Sequence, residues 1–130
     1  MSRAIVNTSK APAPVGPYSQ AVRCGNMLFV SGQIPLDPEN GELVLSSFAE
    51  QCHRVLLNLK IILEAGGSAL ENVLKVTIYM ENLAHFNELN EIYSEYFGAA
   101  KPARACVEVS ALPKGVAVEM DAIAEISSGD

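Results

Sequence analysis

The 130-residue chain carries nine Lys and Arg against fifteen Asp and Glu, a formal charge of −6, with 49% apolar and 18% charged residues. That is one domain's worth of sequence, residues 1–130, apolar enough to build a core without disulfides or a metal. The negative charge and the lack of a basic run disfavour binding along a phosphate backbone, and no apolar stretch approaches the ~20 residues of a membrane span.

A short strand near Ala4–Val6 leads into Ala11–Pro17, which is too proline-rich for a helix or a central strand and reads as an extended connector. Gln20–Cys24 and Met27–Ile34 flank Gly25-Asn26, the signature of an antiparallel hairpin. Ser31-Gly32-Gln33 marks a bulge within its second strand. The turn cluster Pro35–Gly41 precedes a short strand at Glu42–Leu45. Ser47 and Glu50 then form a capping-box pattern, and Phe48, Cys52, Val55, Leu56, Leu59, Ile62 and Leu63 recur at helical spacing up to Gly66-Gly67. Leu74, Val76, Ile78 and Met80 alternate with Lys75, Thr77 and Tyr79, which predicts a strand with one apolar face. A second helix spans about Leu83–Phe97 and stops at Gly98. Arg104–Leu112 and Val116–Ile126 read as strands joined through Pro113-Lys114-Gly115 as a hairpin.

Two amphipathic helices among six strands, not counting the short one at Glu42–Leu45, predict an α+β fold, a two-layer sandwich of a mixed six-stranded sheet with both helices on one face. The last strand divides its residues cleanly, with Val118, Met120, Ala122 and Ala124 on one side and Glu119, Asp121, Ile123 and Glu125 on the other. A half-apolar open sheet face points to self-association.

A two-residue loop at Pro113-Lys114 sets Cys106 opposite Asp121, Glu108 opposite Glu119 and Arg104 opposite Ile123, all on one face. Arg104 and Glu119 then lie about 13 Å apart, too far for one small ligand to touch both within a chain, so they are expected to meet across a subunit boundary. A guanidinium fork matches a carboxylate, and a glutamate tuned by burial can position or activate water. Each group also has an ordinary role: Arg104 as a surface ion-pair partner, Glu119 as a solvated strand residue and Cys106 as a small hydrophobe. Tyr18 can be turn packing and Asn90 a solvent-facing helix residue, and spacing alone does not decide between these roles. His53 and His85 come without a ligand cluster, so no metal is expected. Three cysteines with no C-x-x-C suit reduced thiols, and with no targeting leader in view a cytoplasmic protein is expected, a mitochondrial one being left open.

Six fragments carry a resemblance. Gly16-Pro-Tyr-Ser-Gln-Ala21, Val30-Ser-Gly-Gln-Ile34, the run Phe86–Phe97, Pro102-Ala-Arg104, Leu112-Pro-Lys-Gly115 and Val118-Glu-Met-Asp-Ala-Ile-Ala124 resemble, in order, the signatures of the RidA (YjgF) family of imine deaminases. The resemblance implies a chorismate-mutase-like fold assembled as a homotrimer, with three sites in clefts between protomers. It also implies hydrolysis of 2-imino acids, the tautomers of enamines, to 2-oxo acids and ammonia without a cofactor or metal. By position, Arg104 would hold the substrate carboxylate and Glu119 would orient water, while Tyr18, Ser31, Gly32, Asn90 and Cys106 would line the pocket. Ala105 and Met120-Asp121 depart mildly from the family's commoner residues. Two other functions are carried beside the deaminase: a non-catalytic ligand binder or chaperone-like stress protein, and an endoribonuclease or translation inhibitor.

Overall fold

The computed structural model describes residues 3–127. Its strands and helices are β1 (Arg3–Val6), β2 (Ala21–Cys24), β3 (Met27–Gln33), α1 (Phe48–Ala65), β4 (Val73–Met80), α2 (Phe86–Phe97), β5 (Ala103–Glu108) and β6 (Val118–Glu125). The six strands form one sheet in the order β1-β2-β3-β6-β4-β5, antiparallel except for the β4–β5 pair. Both helices share a core with one sheet face, so the predicted two-layer α+β sandwich is the observed fold.

Local chemistry accounts for the elements. Gly25 takes a φ of 62° at the first turn position of the β2–β3 hairpin, which an L side chain resists. The prolines of the connector donate no N–H, which leaves carbonyls without strand partners. Gln20, only 2% exposed, supplies what is missing: its Nε2 donates to Thr8 O (3.0 Å) and Pro12 O (2.9 Å), and its Oε1 accepts from Thr8 N (2.7 Å). The Ser47 side chain caps α1 by accepting from Glu50 N at 3.1 Å. Glu50 bonds the Ser46 hydroxyl (2.8 Å), so the box is only half formed. Gly67, at φ 87°, ends the helix, with its N–H donating to Glu64 O.

Four expectations are corrected. Glu42–Leu45 is no strand; it makes only the isolated bridge Leu36↔Leu43. Leu74 is exposed and Val73 buried, because a register shift between Val73 and Lys75 turns the start of β4 over. The turn at Leu83–His85 is 3₁₀, and the α-helix begins only at Phe86. Most consequential, β5 and β6 do not form a hairpin. α2 carries the chain across so that β5 runs parallel to β4, and β4 lies between β5 and β6. Residues 109–117 then pass around the end of β4. Val109 N donates to Met80 O (2.9 Å), and Ala117 O accepts from Glu81 N (3.1 Å).

Candidate active site

Strand pairing decides which groups can meet. Arg104 pairs with Val76, which pairs with Ala122; Glu119 pairs with Tyr79, which pairs with Val107. Val76 and Ala122 face the helices, and Glu119 alternates with the buried Val118 and Met120. Arg104 and Cys106 therefore lie on the helix side of the sheet and Glu119 on the open side, contrary to the shared face that a hairpin predicts. Two strand spacings and three residues of rise separate Arg104 from Glu119 by roughly 14 Å within the protomer. Glu108 belongs with Arg104 rather than Glu119, and its carboxylate accepts from Leu83 N at 2.9 Å.

The site residues fall into two groups. In the first, Arg104 Nη1 donates to Asn90 Oδ1 at 2.7 Å, and the guanidinium carbon lies 5.0 Å from the Tyr93 ring centroid and 5.5 Å from that of Phe86. The amide and the two rings hold the fork in place while its charge stays unneutralised, because Arg104 has no carboxylate partner among the described residues. Asn90 is thus a hydrogen-bond partner of the arginine at this exposed surface. Cys106 Sγ lies 3.4 Å from Met80 Sδ; burial pushes its thiol pKa up and Arg104 opposes that in part, so the thiol is a packing group and not a thiolate.

In the second group, Tyr18, Ser31, Gly32 and Glu119 line a cavity of about 370 Å³. The predicted bulge is real: the β3–β6 register shifts between Val30 and Gln33. Ser31 N donates to Gln20 O (2.9 Å) and Ser31 Oγ to Ser19 O, which ties the bulge to the connector that carries Tyr18. Gly32 lies directly on the Glu119 carboxylate, so closely that a Cβ there would collide with it. Burial, with the nearby Asp121 charge, raises the Glu119 pKa above the ordinary carboxylate value. Asp121 accepts from Tyr79 Oη at 2.9 Å. An apolar cavity that keeps a carboxylate partly dry and ready to take a proton suits water activation.

Sequence reasoning missed Val15, Ile34, Pro113 and Lys114, which complete the walls of this cavity. Lys114, at φ 58°, stands in the left-handed region beside Gly115, and the Pro-Lys-Gly turn was the signal available for it. Arg104 opens on a separate cavity of about 380 Å³, shared with Asn90, Tyr93 and Phe97.

The family model described as Endoribonuclease L-PSP matches residues 8–126. A RutC family protein of Pyrococcus abyssi is 56% identical over 124 residues, 95% of this chain and 98% of that relative. The chain belongs to the RidA (YjgF) family. A second relative, human 2-iminobutanoate/2-iminopropanoate deaminase, is 44% identical over 122 residues, 94% of this chain and 89% of the human protein. The crystal structure of RidA from an Antarctic Psychrobacter superposes with a TM-score of 0.91 at 44% identity, covering 95% of this chain and 99% of that one. The six-stranded sheet and its paired helices are thus the RidA fold. Among the described residues of this RidA-family chain, no helix is long and apolar enough to cross a membrane.

Proposed function

We propose that this RidA-family protein hydrolyses short 2-imino acids to 2-oxo acids, at sites that each join the Arg104 group of one protomer to the Glu119 group of the next. The observation that carries the reading is the division of the site: a held, unneutralised arginine and a half-dry carboxylate with its own cavity, on opposite sheet faces of one chain. A homotrimer built sheet to sheet would unite them, and it would cover Ile5 (66% exposed), Phe29 (45%) and Val107 (42%) on the open face. The relatives named as 2-iminobutanoate/2-iminopropanoate deaminases support the substrate class.

In this mechanism Arg104 grips the substrate carboxylate with its fork and fixes the C=N carbon in the cleft. Glu119 takes a proton from water as the water oxygen bonds to that carbon. Glu119 returns that proton to nitrogen, the C–N bond breaks to release NH3 as C–OH becomes C=O, and the hydroxyl proton passes through Glu119 to NH3, so R–C(=NH2+)–COO− and H2O become R–CO–COO− and NH4+. The carbon is already electron-poor, so no covalent enzyme intermediate is required. Tyr18, Ser31, Gly32, Asn90 and Cys106 line the joined pocket.

The test couples a threonine dehydratase to the purified protein and follows imine decay and oxo-acid release. Imine should disappear several-fold faster than without the protein; an unchanged rate would leave only ligand binding. A parallel incubation with RNA addresses the endoribonuclease named in the family description, against which the charge of −6 weighs.

Gly32→Ala offers a local check. The flexible carboxylate can swing away from the new methyl, so the melting temperature should stay within a few degrees of the parent. Glu119 would be displaced from its water, and kcat should fall by about 10- to 100-fold, with KM changed little.

A further inference from the structure

The buried face of α1 is almost wholly apolar: Cys52, Val55, Leu56, Leu59, Ile62 and Leu63 are each 0% exposed. Two amides interrupt it, Gln51 at 8% and Asn58 at 0% exposure. Seven residues apart, they sit on one side of the helix about 10 Å from each other. A buried amide is costly unless its polar atoms find partners, so where the bonds go is informative.

They go to loop backbone at the two walls of the Glu119 cavity. Gln51 Oε1 accepts from Ala117 N at 2.9 Å. Ala117 stands between the Pro113–Gly115 turn, which lines the cavity, and Glu119 itself. Asn58 Nδ2 donates to Leu36 O (2.9 Å) and Ile34 O (3.4 Å), while its Oδ1 accepts from Arg54 Nε (3.1 Å). Ile34 lines the same cavity, just beyond the Gly32 bulge. The helix thus grips the chain as it leaves β3 and again as it enters β6, the two segments between which the Glu119 carboxylate meets Gly32.

Resting on the reading of Glu119 as the water-orienting group, we propose that Gln51 and Asn58 are positioning residues for imine hydrolysis, which set the Ala117 and Ile34 backbones so that Glu119 stays over Gly32. Neither amide touches substrate. Their neighbours Leu56 and Leu59 fill the core without polar atoms, whereas these two positions carry groups that hold loop backbone where the cavity needs it.

The test compares Gln51→Met, which keeps length and volume but has no acceptor oxygen, with Gln51→Glu, which keeps the acceptor. Position 51 lies in the first turns of α1, where a carboxylate is tolerated. Asn58→Asp, which loses the donors to Leu36 and Ile34, is the matching change on the other wall. In the full-length protein, Gln51→Met and Asn58→Asp should lower kcat by about 10- to 100-fold with KM within about twofold. The acid limb of kcat in Gln51→Met should also move toward the ordinary carboxylate range as Glu119 enters water. Gln51→Glu should recover most of the wild-type kcat at neutral pH.

A folded Gln51→Met with wild-type kcat and pH profile, and only a lower melting temperature, would make the amide a fold anchor and overturn the proposal. Equal losses in the Met and Glu variants would overturn it too, since volume rather than the acceptor would then matter. If Gln51→Met does not fold, Gln51→Glu decides: near-normal kcat supports the proposal, and a tenfold loss in a folded protein refutes it. Glu119→Gln is measured alongside. Full activity in that variant would remove the reading of Glu119 itself, whereas its inactivity beside a normal Gln51→Met would remove only the positioning role.

Discussion

Arg104→Ala is expected to leave a folded protein whose kcat/KM for 2-iminopropanoate and 2-iminobutanoate is about 30- to 5,000-fold below the parent. Removing one partner of a hydrogen-bonded charge pair costs about 2–5 kcal/mol, and each 1.36 kcal/mol is a factor of about ten in rate. The fold should survive because Arg104 is exposed on an edge strand, and what it gives its own protomer is one bond to Asn90 and two ring contacts. Arg104→Lys should recover only part of the loss, since an ammonium carries the charge without the planar fork. Initial rates of imine decay, with melting curves on the same samples, measure both halves of this expectation. Wild-type rates in Arg104→Ala would eliminate the proposed mechanism.

Glu119→Gln is expected to lower kcat by about 10²–10⁴-fold, the usual scale for losing a positioned base. Its pH behaviour separates it from the arginine variant. The native carboxyl pKa lies above the ordinary value because burial and Asp121 disfavour the charged form, so the acid limb of kcat in the parent should lie above the usual carboxylate range. The same shift makes the ionised group a burden on stability. The native state holds its proton more tightly than the unfolded chain, so stability falls as pH rises from the ordinary carboxylate value through the native one. Glu119→Gln should therefore melt higher than the parent at neutral pH, with the difference vanishing below the ordinary carboxylate pKa. A variant that is inactive and less stable at pH 7 would contradict the burial account of Glu119.

Mixing the two inactive proteins tests where the site lies. If each site takes Arg104 from one protomer and Glu119 from the next, random reassembly of equal amounts restores one intact site in every mixed trimer, about a quarter of wild-type activity. No recovery after verified subunit exchange would return both groups to a single chain.

Much of this was legible in the residues. Alternation identified the two faces of β6, the capping serine and the glycines bounded α1, and Ser31-Gly32-Gln33 announced the bulge that lets Glu119 approach the backbone. The order of fragments pointed to the RidA family. Arg104 and Glu119 were named as candidate groups, and their separation within one chain stands, although the pairing behind it was wrong. Lys114 and Ile34 stood in the quoted fragments but were not picked as site residues, because the residues that wall a cavity are set by chain segments distant in sequence.

The reach of local information ends at strand partnership. Whether a side chain points up or down from its own strand follows from a period of two, and whether a helix starts at a serine follows from its nearest amides; both are settled within a few residues. Which strand lies beside which is decided by burial over the whole sheet. A Pro-Lys-Gly turn after an extended run looks like a hairpin, yet packing α2 beside α1 draws β5 to the far side of β4 and turns Arg104 to the opposite face from Glu119. Composition and pattern thus determined most of the elements and their apolar faces, and named the candidate residues. Only the tertiary structure determined that those residues fall into two groups on opposite sheet faces, because that depends on contacts between segments far apart along the chain.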